Sequence, residues 1–122
     1  MEPSRVMYHV APTEARPSIE QHGLDWRRLG LGGAYRPPGN YLWDSLEFAL
    51  WYAQAYDDHD IWAVSVEGLE LRPDPGFGEF TDGLQHTWFS PQTIAAERLL
   101  ASRLPLAVWL PRASVYPRQA SG

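Results

Sequence analysis

The sequence contains no cysteine, which excludes disulfide cross-links, thiolate metal centres and a cysteine nucleophile together. It contains no lysine either: all ten basic residues are arginine, so Schiff-base chemistry and the lysine of a nucleotide-binding P-loop are unavailable. Long apolar runs are missing. The stretch Leu104 to Leu110 is strand-sized and far short of the roughly 20 residues that a membrane-spanning helix requires. Positive charge is in the minority, with ten basic against fifteen acidic residues and a net charge of −5, so no global field draws the chain to nucleic acid. The opening Met-Glu-Pro-Ser-Arg lacks a basic segment followed by an apolar run, and the expectation is a cytoplasmic protein with no membrane contact.

What is present fits a single domain spanning residues 1–122, in which 44% of the residues are hydrophobic. Six Trp and six Tyr exceed the needs of a minimal core and suit the planar walls of a flat-ligand site. Arg5 to Ala11 reads as a first strand stopping at Pro12, after which Thr13 is placed to cap a helix over Glu14 to His22 that ends at Gly23. Asp25 to Asn40, rich in Gly, Pro and Arg, reads as a long loop. A short strand at Tyr41 to Trp43 follows, and then a helix capped by Asp44 or Ser45 and running to about Tyr56. Its residues Leu46, Ala49, Leu50 and Ala53 share one face. Ile61 to Val66 and Gln85 to Phe89 read as strands separated by a loop over Arg72 to Gly83. Ile94 to Arg103 reads as a short helix or turn and Leu106 to Leu110 as a last strand, with a frayed tail from Arg112. The order predicts an α+β domain built on two small, mainly antiparallel sheets that form a cleft, with short flanking helices.

Metal chemistry finds no support in the spacing of the four histidines, since no His-x-x-x-His pair exists. His9 differs from the others because it lies inside an apolar strand, where an imidazole must find a partner or a ligand. Tyr41 and Tyr52 are separated by ten residues across a strand-to-helix junction, and both rings can turn toward one pocket if the helix packs back on its strand. Two rings so placed can sandwich a pyridinium, combining apolar burial with cation–π attraction.

In this combination the chain resembles the ADP-ribosyltransferases, in particular the branch shared by diphtheria toxin and the poly(ADP-ribose) polymerases. Tyr8-His9, Ile19 and Gly23-Leu24 are similar to that family's opening strand and helix, in which the histidine bonds the adenosine ribose of NAD. Gly39-Asn40-Tyr41 through Tyr52-Ala53 is similar to its Tyr-x10-Tyr segment, whose tyrosines stack on nicotinamide. Asp60 to Val66 resembles the next core strand and Trp88 to Leu99 the final motif region, so the likeness covers most of the chain.

Three positions depart from the pattern. Val10 stands where the polymerases carry a glycine whose backbone holds the carboxamide, and Ala49 stands where they carry a small hydroxyl residue. The family's catalytic glutamate has no evident counterpart: the aligned position falls on Gln85, with Glu79 and His86 as neighbours, and Glu97 reads as a solvated or capping residue. The resemblance implies NAD bound by His9, Val10, Tyr41, Ala49 and Tyr52, with His9, Tyr41 and Gln85 as the catalytic set. Arg27, Arg28, Arg36 and Arg5 are candidate pyrophosphate contacts. The expected function is NAD-dependent transfer of ADP-ribose to a protein or nucleic-acid acceptor, protein being favoured by the acidic charge. Small bacterial enzymes of this fold are often toxins, which implies an antitoxin partner. Loss of the glutamate leaves a second reading, a catalytically weakened NAD or ADP-ribose-binding or interaction module. A third is an RNA 2′-phosphotransferase-like enzyme, which a short acidic chain suits less well.

Overall fold

The computed structural model describes residues 6–29, 37–54, 58–76, 80, 82–103 and 109–111. Its centre is the pairing of β1 (Val6–Pro12) with β3 (His59–Ser65), antiparallel and in register from Val6↔Ser65 to Pro12↔His59. Both strands are rich in β-branched and aromatic residues, which pack well on a pleated surface. β2 (Asn40–Trp43), β4 (Arg72–Pro73) and β5 (Thr87–Ser90) extend the sheet on one side of β1, while β6 (Leu99–Arg103) and β7 (Trp109–Pro111) extend it beyond β3. The result is a seven-stranded sheet of order β4-β5-β2-β1-β3-β6-β7, antiparallel at every step.

The α+β class is as expected, but the strands form one continuous sheet where two small ones were anticipated. A single narrow join accounts for the difference. β1 meets β2 in the ladder only at Tyr8↔Trp43, whereas β2 pairs with β5 along its whole length, from Asn40↔Ser90 to Trp43↔Thr87. Two well-paired halves thus share a single ladder pair, and none joins the β1 segment from His9 to Pro12 to β2.

Alternation along the strands divides the core between the two faces of the sheet. Met7, Ala11, Leu42, Trp62 and Val64 pack with Ile19, Leu24, Ile94 and Leu99 on one face. Trp43 and Ile61 pack with Ala49 on the other, beside Tyr8, Val10, Phe48 and Tyr52. The first face is covered by α1 (Arg16–His22), which buries Ile19. The second is covered by α3 (Leu46–Ala53), capped by the Ser45 hydroxyl accepting from the Phe48 N–H.

Several boundaries differ from the reading of the sequence. Thr13 caps nothing: a turn of 3-10 helix over Thr13–Ala15 precedes α1, and the Thr13 hydroxyl donates instead to Asp60 (3.1 Å). Asp60 is fully buried and accepts two further bonds from the Arg16 guanidinium at 2.8 and 2.9 Å, so a tertiary ion pair outcompetes the local cap. The expected loop from Asp25 contains a one-turn helix, α2 (Trp26–Leu29), with Asp25 accepting from the Arg27 N–H; residues 30–36 lie outside the described residues. In α3 only Ala49 of the expected face is buried, because the flanking aromatics Phe48 and Tyr52 take up the space around it. The expected helix or turn over Ile94 to Arg103 is a 3-10 turn at Ala96–Arg98 followed by β6, since the free edge of β3 recruits Leu99 to Arg103 as a strand. The strand expected from Gln85 begins at Thr87, and the last strand is described at Trp109–Pro111, residues 104–108 and the tail from Arg112 lying outside the described residues.

Gly23 ends α1 as the sequence suggests, and for a definite reason. Its φ is 76°, and a Cβ there would sit 2.1 Å from the Ile94 carbonyl oxygen. The close approach lets Leu24 and Ile94 exchange two backbone hydrogen bonds of 2.8 and 2.9 Å, which tie the end of α1 to the segment leading into β6.

Candidate functional site

His9 lies in β1 just past the join with β2, in alternation with Met7 and Ala11, and is 2% exposed. Its Nδ1 is 2.7 Å from the Tyr41 carbonyl oxygen, so the imidazole bridges β1 to β2 where the ladder itself has stopped. A carbonyl can only accept, and Nδ1 therefore carries the proton. Burial pushes the His9 pKa down to about 4 against the opposing pull of the Tyr41 bond, so the ring is neutral near pH 7 and Nε2 presents a lone pair. Nε2 is buried and has no hydrogen-bond partner among the described residues.

Tyr41 and Tyr52 both belong to the opposite face. The Tyr41 ring stacks on Phe89, its ladder partner in β5, at 5.2 Å and 27°, and its hydroxyl donates to the Pro37 carbonyl. Tyr52 leans on Trp43 at 5.4 Å and 38°. Trp43, two residues along β2 from Tyr41, is also edge-on to Phe80 at 5.7 Å, and Phe80 in turn packs on Phe48 at 4.8 Å. The predicted trio does not line one pocket: His9 stands on one face and reaches Tyr41 through its backbone carbonyl, while the two tyrosine rings, on the other face, pack on Phe89 and Trp43 respectively. Val10 and Ala49 lie on the tyrosine face, Ala49 with its side chain fully buried in the α3 packing.

No family model and no curated protein matches this chain.

At the position aligned with the family's glutamate, Gln85 donates its side-chain amide to the Thr87 carbonyl at 2.6 Å, holding the entry to β5. Its neighbour His86 is more elaborately placed. Nδ1 is 2.7 Å from Asp44 Oδ1 and Nε2 is 2.6 Å from Asp82 Oδ2, while Asp44 Oδ2 accepts from the Trp88 indole at 3.2 Å. Desolvation works to lower the His86 pKa, but the bonds to Asp82 and Asp44 outweigh it and raise the value. The bond from His86, with that from the Leu84 N–H, holds the Asp82 carboxyl below its ordinary value. Asp44 and Asp82 were not foreseen: nothing in the sequence announces that a pair 42 residues apart, Asp44 and His86, will meet.

The arginines are less committed to one ligand. Arg27 is exposed, its guanidinium 4.5 Å over the Trp26 ring, and Arg28 Nε lies 3.4 Å from Asp25. Glu97 is exposed in the 3-10 turn, whereas Glu79, Arg36 and Arg5 lie outside the described residues. Two further buried polar side chains were given no role by the sequence. Asn40, buried at the start of β2, donates to the Gln92 carbonyl at 2.8 Å. Trp62, the ladder partner of His9 in β3, is 1% exposed, and its indole Nε1 has no partner among the described residues. No helix of the described residues is long and apolar enough to cross a membrane.

Proposed function

We propose that this protein is an NAD-dependent ADP-ribosyltransferase. The observation that carries the reading is His9: neutral, buried, oriented by the Tyr41 carbonyl and left with an unpartnered Nε2. A buried acceptor without a partner costs about 1–3 kcal/mol, a cost recovered when a ligand donor meets it. In this reading the adenosine ribose supplies that donor and the nicotinamide ring lies against the face that carries Tyr41 and Tyr52. In this reading β1 and β2, which share no ladder pair beyond Tyr8, part there when NAD binds, because His9 and the tyrosine rings stand on opposite faces.

The bond between nicotinamide and ribose C1′ breaks, nicotinamide leaves with the bonding pair, and an acceptor nucleophile joins C1′ as it gives up a proton. Aromatic faces hold the pyridinium by apolar contact and cation–π attraction. A neutral amide at Gln85 stabilises a developing ribosyl cation less than a carboxylate does, so turnover is expected to be slow. A protein acceptor is favoured over nucleic acid by the net charge of −5, and an antitoxin partner accords with a role as a small toxin.

Gln85 also supports the alternative of a module that binds NAD or ADP-ribose without turnover, because its amide is engaged with Thr87. Release of free nicotinamide from NAD decides between them. Release abolished in His9→Ala and Tyr52→Ala is the expected result; NAD bound without release favours the binding module, and no binding at all removes both readings.

A further inference from the structure

The two unpartnered atoms in the middle of the sheet are chemically complementary to a single group. His9 and Trp62 are direct ladder partners of β1 and β3, so their Cβ atoms lie about 4.5–5.5 Å apart on one face. His9 Nε2 is an acceptor, because the proton of the neutral ring is held at Nδ1 by the Tyr41 carbonyl. Trp62 Nε1 can only donate. Both are closed to solvent and neither has a partner among the described residues. Buried polar groups are as a rule paired; Asn40 Oδ1 is a further exception among the described residues, but only His9 and Trp62 set a free acceptor and a free donor on directly paired positions of one face.

We propose that Trp62 Nε1 and His9 Nε2 together form a hydroxyl-binding pair that determines which sugar the site accepts. A hydroxyl donates its proton to Nε2 and accepts the indole N–H on the same oxygen. A phosphate or carboxylate oxygen satisfies the indole and leaves Nε2 facing a second lone pair; an ammonium satisfies Nε2 and leaves the indole unpaired. The pair thus selects a neutral hydroxyl against either charge. This rests on the NAD reading above, under which nicotinamide takes the tyrosine face and the hydroxyl belongs to the adenosine ribose. Trp62 is then a specificity-determining residue on β3, a strand to which the resemblance assigns no ligand contact. Since both atoms are shut off from solvent, a local opening must precede binding, and association slower than the usual 10⁵–10⁷ M⁻¹s⁻¹ of an open docking site is expected, on the order of tenfold or more below it.

The test is calorimetric titration of the wild-type protein and of Trp62→Phe with NAD and with NAD analogues lacking the 2′- or the 3′-hydroxyl of the adenosine ribose. The wild type is expected to bind one deoxy analogue about tenfold or more weakly than NAD, because two buried groups are left unpaired. Trp62→Phe is expected to bind NAD about tenfold more weakly and to lose most of that discrimination. Equal wild-type affinity for NAD and both analogues overturns the proposal, as does a Trp62→Phe variant that weakens NAD and the analogues alike. The wild-type comparison stands even if Trp62→Phe does not fold, which near-ultraviolet circular dichroism reports. Failure of the wild type to bind NAD at all removes this proposal and the reading beneath it together, whereas NAD bound without discrimination removes this one alone.

Discussion

His9 makes the stability of the protein depend on acidity in a direction that can be stated in advance. In the unfolded chain its pKa is the ordinary 6.5, and in the fold burial lowers it to about 4. Between these values the unfolded state binds a proton that the folded state refuses, so stability falls as pH drops from 6.5 to 4 and levels off below. The full span is worth about 3 kcal/mol at 1.36 kcal/mol per unit. Urea titrations from pH 4 to 7 should show this slope in the wild type and a flatter one in His9→Gln. At Asp60 the reasoning concerns geometry: Arg16→Ala leaves a fully buried carboxylate with only the Thr13 hydroxyl. A loss of about 2 kcal/mol is expected in the same assay, below the 3–5 of a wholly buried pair because Arg16 keeps some solvent contact. Gly23→Ala is expected to be worse, since the left-handed backbone and the Ile94 carbonyl both oppose a Cβ; a fall in Tm of more than about 10 °C, roughly what 3 kcal/mol costs a domain of this size, is the expected outcome.

Among the elements, the turn that carries Phe80 and Asp82 is held to the β2–α3 junction through His86. Within the turn the Phe80 N–H donates to the Leu84 carbonyl and the Gly83 N–H to the Phe80 carbonyl, Asp82 reaches His86, and His86 reaches Asp44. With both ring nitrogens on carboxylates, the imidazole must carry two protons to satisfy them. The raised pKa of His86 means that this contribution is complete below about 6.5 and is lost as pH rises through the folded value. Amide exchange at residues 80–84, corrected for the intrinsic effect of pH, should accelerate above that point. Asp82→Asn should give fast exchange already at pH 6. Unchanged protection in both would show that Phe80, packed on Phe48 and Trp43, fastens the turn without help from His86.

For the molecule as a whole, the join between the two halves of the sheet is the feature on which most depends. Trp43 pairs with Tyr8 in the single ladder contact of β1 with β2 and packs against Tyr52, Trp51 and Phe80. Trp43→Ala is expected to cost about 3–5 kcal/mol in urea denaturation and, under the proposed function, to lower the affinity for NAD, because Trp43 carries the one ladder pair of β1 with β2 and packs on Tyr52.

Local chemistry alone determined a good part of this. β1 is legible because the run from Val6 to Ala11 is rich in β-branched and aromatic residues and stops at a proline, α3 because Ser45 caps an amphipathic run, and the Gly23 stop because a helix end needs a left-handed residue. That His9 needs a specific partner was legible because an imidazole in an apolar strand must be satisfied, and the Tyr41 carbonyl meets one of its two nitrogens. Tertiary structure decided the rest. Whether Leu99 to Arg103 is helix or strand depended on the open edge of β3, and the cap expected of Thr13 yielded to Asp60, a residue 47 positions away. The unpartnered indole of Trp62 beside His9 and the carboxylates around His86 exist only because distant strands align, and no spacing in the chain encodes a register between strands that meet through folding.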